Sequence, residues 1–408
     1  MTTNQQVLRR QIGVFGAVMM GLGSIIGTGV FVSIGVAAGI AGPAVILAIM
    51  IGAMVATFNG LNSAQLAANH PVSGGTYEYG YRYLNPRLGF VAGWTFLLAK
   101  SASAATAALG FAGYLLNLVG GNVDWLVPLA LAAVIVLTLI ILGGIRRSNI
   151  VNTVIVSVTL GALGLFIVSG ALNLPSVEVN HFQPFFDDSS GFTSTVQAVL
   201  YASALMFVAY TGYGRIATLG EEVREPRRTI PRAIVATLVV TMILYVGVAI
   251  VGVGNIGAGA LSQAADVEAA PLEIAARSFG GGTIPALVAL GAVTAMLGVL
   301  LNLILGLSRV LLAMGRRRDM PPPVGRLNAS ETTPTAAVIV MGVFIGGLVL
   351  IGDVRTTWSF SAFTVLIYYA ITNLSALQLK AEDRIFPRWT AWALCPSCPG
   401  ATWRARPR

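Results

Sequence analysis

Apolar residues run along this chain in long stretches, and the polar positions that interrupt them are mostly small and uncharged. No Asp, Glu, Lys or Arg occurs in 11–77, 125–145, 148–177, 189–214, 233–265, 278–308, 332–352 or 356–379. A helix that crosses the hydrocarbon core of a bilayer needs about 20 such residues. The first run has room for two spans, the seven others hold one each, and 88–123, interrupted only by Lys100, holds another. The pattern therefore predicts ten spans, near 14–38, 43–64, 88–118, 125–144, 149–172, 193–213, 233–255, 283–313, 335–351 and 358–379. All are expected to be helices, because in lipid only helices and closed barrels satisfy the backbone, and these runs are twice the length of a barrel strand. The longer connections, 65–87, 173–192, 214–232, 256–282 and 314–334, are expected as loops, with no soluble domain.

Two spans contain glycine-rich interruptions. The first carries Gly21, Gly23, Gly27 and Gly29 around Ser24, Ile25, Ile26 and Thr28; the sixth reads Ala209, Tyr210, Thr211, Gly212, Tyr213, Gly214. These positions correspond if the ten spans form two sets of five, about 14–172 and 193–379. Matching interruptions in two halves point to a transporter of inverted repeats whose substrate lies at the breaks. Where a helix unwinds, the half that follows begins with free N–H groups suited to an anion, and the half that precedes ends in free carbonyls suited to an ammonium. An amino acid zwitterion carries both charges. The competing reading is that the glycines only let helices pack closely.

Composition removes whole classes of function. Of 408 residues 56% are hydrophobic and 10% charged, against roughly 25% charged in soluble domains, which excludes soluble enzymes, nucleic-acid binders and disordered scaffolds. The net charge of +9 reads as topology. With the N-terminus cytoplasmic, 22 basic residues fall on inside segments and only Arg277 and Arg355 outside, so the positive-inside rule predicts both termini in the cytoplasm. No cleavable signal is visible. A membrane enzyme would need a cluster of acid, base, nucleophile or metal ligands within the spans, and none is there. Glu221 and Glu222 lie in an arginine-rich loop, His70 and His181 in loops, and Cys395 and Cys398 form half of a zinc framework at most. No cofactor, no metal and no nucleic-acid partner is expected.

Lys100 is the ionisable group within a span. It lies about 12 residues beyond Leu88, roughly 18 Å along a helix axis, and an amine that deep is a functional residue by default. It can carry a proton, act as a fixed cation in place of a bound metal ion, or pair with helix-end carbonyls.

Gly23, Ser24, Ile25, Ile26, Gly27, Thr28, Gly29, Val30 and Phe31, then Pro71, Ser73, Gly74, Gly75, Thr76 and Tyr77 with Gly93 and Trp94, resemble the amino acid/polyamine/organocation permease family. Phe207, Ala209, Tyr210, Gly212 and Tyr213, followed by Glu221, Glu222, Pro226, Arg227, Arg228 and Pro231, and Ser308, Arg309 and Met314, are similar to the same family. The resemblance covers about 10–392. It implies an all-α integral membrane protein with the five-plus-five inverted-repeat (LeuT-like) fold, helices 1 and 6 discontinuous, and alternating-access transport of amino acids or related amines. Position by position, it places the substrate carboxylate on the N–H groups of Gly27, Thr28 and Gly29. The amino group falls at the carbonyls of Ser24, Ile25, Ala209 and Thr211, and Phe207 and Tyr210 become aromatic gates.

Some relatives carry a lysine on the fifth span, where this chain has none, and some carry a glutamate after Tyr213, where this chain has Gly214. The eighth span offers no adjacent hydroxyl pair for sodium. With no acid in any span, neutral substrates are expected, moved across the cytoplasmic membrane with proton linkage through Lys100; an uncoupled exchanger and a non-transporting sensor are the alternatives. Residues 393–408, rich in Pro, Cys and Arg, depart from the family pattern and read as the end of a truncated or frameshifted product, with 1–392 as the ten-span core.

Overall fold

The computed structural model describes residues 12–70, 75–143, 149–186, 192–217, 223–328, 333–380 and 383–384. The segments around Pro71, around Glu221 and Glu222, and from 385 through Cys395 and Cys398 lie outside the described residues.

The first apolar run is α1 (Val14–Ile25), a π-helical turn (Gly29–Ser33) and α2 (Ile34–Ala41). Gly42, at φ +60°, turns the chain into α3 (Val45–Asn69). A short helix α4 (Thr76–Tyr83) precedes α5 (Pro86–Val119), α6 (Leu126–Leu142) and α7 (Asn149–Asn173). The second half repeats the order: α8 (Phe192–Tyr210) with a 3-10 turn (Thr211–Tyr213) and α9 (Gly214–Ala217), then α10 (Pro226–Val267). There follow α11 (Pro271–Arg277), α12 (Thr283–Arg316), α13 (Thr335–Val349) and α14 (Val354–Leu377). Among the described residues eight helical segments are long and apolar enough to cross a membrane, one of them Gly29–Asn69, which joins α2 to α3; α1 and α13 are shorter apolar helices. The segments cover all ten expected spans, with the first and sixth broken.

α5 packs against α12 and α14, α3 against α8 and α10, and α1 against α7 and α10. Tyr77, Tyr114, Tyr210, Tyr213, Tyr245 and Phe31 are among the largest fully buried side chains, whereas Leu172, Val343 and Phe363 lie exposed as lipid-facing residues would. The ends of α5 and α14 follow capping chemistry. The Asn85 side chain accepts from Leu88 N–H, the Asp353 carboxylate accepts from Arg355 and Thr356 N–H, and Gly120, at φ +69°, closes α5.

Three connections read from the sequence as loops are partly helical, and in 214–232 α9 occupies Gly214–Ala217 and α10 starts at Pro226. In 65–87, α4 has Glu78 in its first turn and Arg82 in its last, a charge order that suits the helix dipole. In 256–282, α10 bends at Gly257 (φ 82°, ψ 156°) and continues to Val267, and α11 follows. The charges that ended the apolar run there, Asp266, Glu268, Glu273 and Arg277, sit on or beside short helices that cap the bundle.

Candidate functional site

The first glycine-rich interruption unwinds the helix, and the second changes its winding from α to 3-10. α1 ends at Ile26, whose backbone is extended (φ −79°, ψ 107°), and its N–H donates to Leu22 O at 2.7 Å. The next bonded turn begins where Val30 and Phe31 N–H donate to Gly27 O, at 3.2 and 3.1 Å. The N–H groups of Gly27, Thr28 and Gly29 therefore have no acceptor in the helix that they open. The Thr28 hydroxyl is buried and has no hydrogen-bond partner among the described residues. In the sixth span the helix tightens into the 3-10 turn Thr211–Tyr213 before α9.

The two breaks meet. A Cβ at Gly212 would lie 2.3 Å from Ser24 O, and one at Gly29 would lie 2.8 Å from Ala209 Cβ. At these crossings the absence of a side chain is what lets one backbone reach the other. The structure thus brings together Ser24, Ile25, Gly29, Ala209 and the Thr211 turn. It adds a residue that motif reading missed: Tyr245 of α10, whose hydroxyl lies 3.1 Å from Ile25 O and 3.3 Å from Ala209 O. One hydroxyl has one proton, so it bonds one carbonyl at a time or shares between them, and in either case it ties both breaks to the seventh span. Its only sequence signal is a lone aromatic hydroxyl in an apolar run.

Around the second break, Lys100 Nζ donates to Thr211 Oγ1 at 2.6 Å, Thr211 Oγ1 donates to Val208 O at 2.7 Å, and Tyr369 OH donates to Thr211 O at 3.2 Å. Lys100 is partly buried. Its ammonium thus rests on the span-six turn. On the fifth span Asn152 and Val156 face span one, and Asn152 donates to Met19 O at 3.0 Å. Phe207 is buried with its ring 5.5 Å from that of Tyr369; Tyr210 is buried 5.1 Å from Tyr245, its hydroxyl 3.4 Å from Ile49 O.

Away from the breaks, Tyr77 and Tyr81 of α4 donate to Asp319 Oδ2 at 2.7 and 2.6 Å, beyond the end of α12. Arg317 pairs with Glu78 and lies 5.6 and 4.6 Å from the centres of the Tyr77 and Tyr81 rings. Burial, and then the bond to Asp319, raise both hydroxyls above the usual tyrosine value, Tyr81 to about 12. No group of three or more His, Cys, Asp or Glu placed to hold a metal occurs among the described residues.

Paired broken helices, matched in two halves and meeting within a helical bundle, define a multi-pass membrane transporter of the five-plus-five class. The signature of the amino acid permease family matches residues 16–401, and the chain belongs to that family, within the amino acid/polyamine/organocation superfamily. The match runs nine residues past 392, into the tail. The chain is 40% identical to the uncharacterized transporter Rv1999c of Mycobacterium tuberculosis, over 92% of its own length and 82% of that protein's. It is 27% identical to the branched-chain amino acid permease BcaP of Bacillus subtilis, covering 98% and 87% of the two chains. To the methylthioribose transporter of Bacillus subtilis it is also 27% identical, over 97% and 90%. The family makes the protein an amino acid transporter and not an enzyme.

Proposed function

We propose that the protein moves small neutral amino acids across the cytoplasmic membrane by alternating access, with both termini inside and with proton linkage through Lys100. The observation that carries this reading is the convergence of the two interruptions, which sets the N–H groups that open the second half of span one beside carbonyls held by exchangeable tyrosine hydroxyls, Tyr245 at Ile25 and Ala209 and Tyr369 at Thr211. The substrate carboxylate binds the N–H groups of Gly27, Thr28 and Gly29, with the unpartnered Thr28 hydroxyl beside them. The amino group takes the carbonyls of Ser24, Ile25, Ala209 and Thr211, competing with Tyr245 for the second and third and with Tyr369 for the last. Phe207 and Tyr210 close over the bound molecule.

Neutral substrates are favoured because no expected span carries Asp or Glu, and an uncompensated cationic side chain in a low-dielectric site is costly. The name of the branched-chain relative agrees with this chemistry. Lys100 favours coupling because its amine bonds a residue of the moving break, and both the bond and its charge change when a proton leaves.

The test is counterflow in proteoliposomes with one labelled neutral amino acid against each of the twenty in competition. Neutral compounds should compete and arginine and lysine should not. Binding without flux would make the protein a sensor, and exchange unaffected by any pH gradient would make it an uncoupled exchanger.

A further inference from the structure

The cap formed by α11 holds a buried carboxyl that the transport reading leaves unused. Tyr114 of α5 ties the cap down: its hydroxyl donates to Phe31 O at 2.6 Å and accepts from Leu272 N–H at 3.1 Å. The cap is thereby joined to the turn that follows the first break. Glu273, one residue on, is 3% exposed. Its Oε1 accepts from Arg277 at 3.0 Å, and Arg277 also donates to Asn117 Oδ1 of α5 at 3.0 Å. Glu273 Oε2 is shut from solvent and has no hydrogen-bond partner among the described residues. The titratable groups that bear on it are Arg277 on its own helix, Glu268 at the end of α10 and Tyr114 on α5; the first turns of α12 and the turn at 29–33 carry none. A cavity of about 350 Å³, bordered by Asn117, Glu273, Arg277, Gly281 and Ala286, opens beside the pair.

We infer that Glu273 takes up a proton from the outer solution as the cap shuts, so that external acidity favours the closed cap. The inference rests on the proposed orientation, which puts α11 outside. A carboxylate with one oxygen deprived of both water and donors is disfavoured in its charged form. Burial raises Glu273 from the usual carboxylate value, and Arg277 opposes that shift without cancelling it. When the cap opens, water reaches the carboxyl and its proton affinity falls towards the ordinary value. The conformation with the higher proton affinity is the one that protons stabilise, so the closed cap gains as pH falls through the window between the two affinities. The closed-to-open ratio changes by up to about tenfold for each pKa unit that separates them. The proton adds to a carboxylate oxygen from the outer solution before the cap shuts over it, and no other bond changes.

The experiment uses full-length protein in proteoliposomes with Cys395 and Cys398 replaced by Ser and a reporter Ala286→Cys. Thiol labelling is measured from the outside at acid and neutral pH. Comparison with Glu273→Gln at each pH removes the pH dependence of the labelling chemistry. Labelling should slow on acidification in the parent and stay slow at both pH values in Glu273→Gln, while Glu273→Asp keeps the dependence. Arg277→Gln, which removes the opposing charge, should move the transition to higher pH. Wild-type pH dependence in Glu273→Gln overturns the inference, and if that variant does not fold, an unmoved transition in Arg277→Gln overturns it. Counterflow on the same vesicles is a separate readout. Flux with unchanged labelling sinks only the role of Glu273, and absence of flux sinks only the transport reading.

Discussion

Gly27 and Gly29 carry two burdens, and the structure shows why they must be tested against a chosen control. A Cβ at Gly27 would lie 2.7 Å from Val299 Cγ2, and one at Gly29 would lie 2.6 Å from the Tyr245 hydroxyl. Gly89 lies outside the breaks but is no neutral comparison, because its Cβ would meet the Tyr81 ring at 2.2 Å. Gly161 meets nothing within 4 Å and is exposed. Gly161→Leu should therefore leave uptake intact and gain up to about 1 kcal/mol of helix propensity. Gly27→Leu and Gly29→Leu should abolish uptake and substrate binding while keeping membrane expression; a parallel loss of folded protein would assign them to packing. Lys100 separates its two functional roles by variant. Lys100→Ala should remove the pH dependence of net uptake and preserve substrate exchange if the amine carries a proton. Lys100→Arg should keep most activity if it is a fixed cation, since arginine stays charged. Unchanged, pH-dependent uptake in both Lys100→Ala and Lys100→Met would remove the residue from the mechanism. The residue type and depth of Lys100 were legible in the sequence; its bond to Thr211, 111 positions away, was not.

At the scale of elements, α4 and α11 are two of the helices that hydropathy left within loops. Both are too short and too charged to register as spans, and their helical form depends on partners elsewhere in the chain. α4 is held by the tyrosine pair on Asp319, which joins it to the end of α12. Tyr77→Phe and Tyr81→Phe should each cost about 1.5–3 kcal/mol, as hydrogen bonds to a charged acceptor do, and the double variant should exceed the sum, because each single variant leaves the other donor on the shared oxygen and the double leaves none. Thermal unfolding in detergent measures this. A tyrosine whose pKa is raised in the folded state contributes fully below its unfolded value of 10.0 and loses that contribution as pH climbs towards the folded value, about 12 for Tyr81. The wild type should thus lose stability above about pH 10, and Tyr81→Phe should lose less. An alkaline transition identical in both would exclude Tyr81 as its source.

For the whole molecule the prediction is topological. A cysteine placed in 173–192 or 256–282 should react with an impermeant reagent on intact cells, and one in 65–87 or 214–232 should not. Labelling at Arg224→Cys would overturn the orientation. The prediction rests on arginine placement alone, and that signal survives because it is read during insertion and does not depend on packing.

What the sequence determined by itself is whatever lipid imposes locally: the class, the number and rough positions of the spans, though the seventh helix runs beyond its expected 233–255 at both ends, the two interruptions, and a lone amine at depth. Each follows from the cost of placing polar groups or unpaired backbone in hydrocarbon. Only the tertiary structure decided that Gly212 lies against the Ser24 carbonyl, that Tyr245 reaches Ile25 from 220 positions away, and that Tyr114 joins the cap to the turn after the first break. In water a helix announces its buried face by amphipathicity. In a bilayer the buried and lipid-facing sides are both apolar, so which sides meet is set by close packing and hydrogen bonds between helices, and those remain invisible until the helices are assembled.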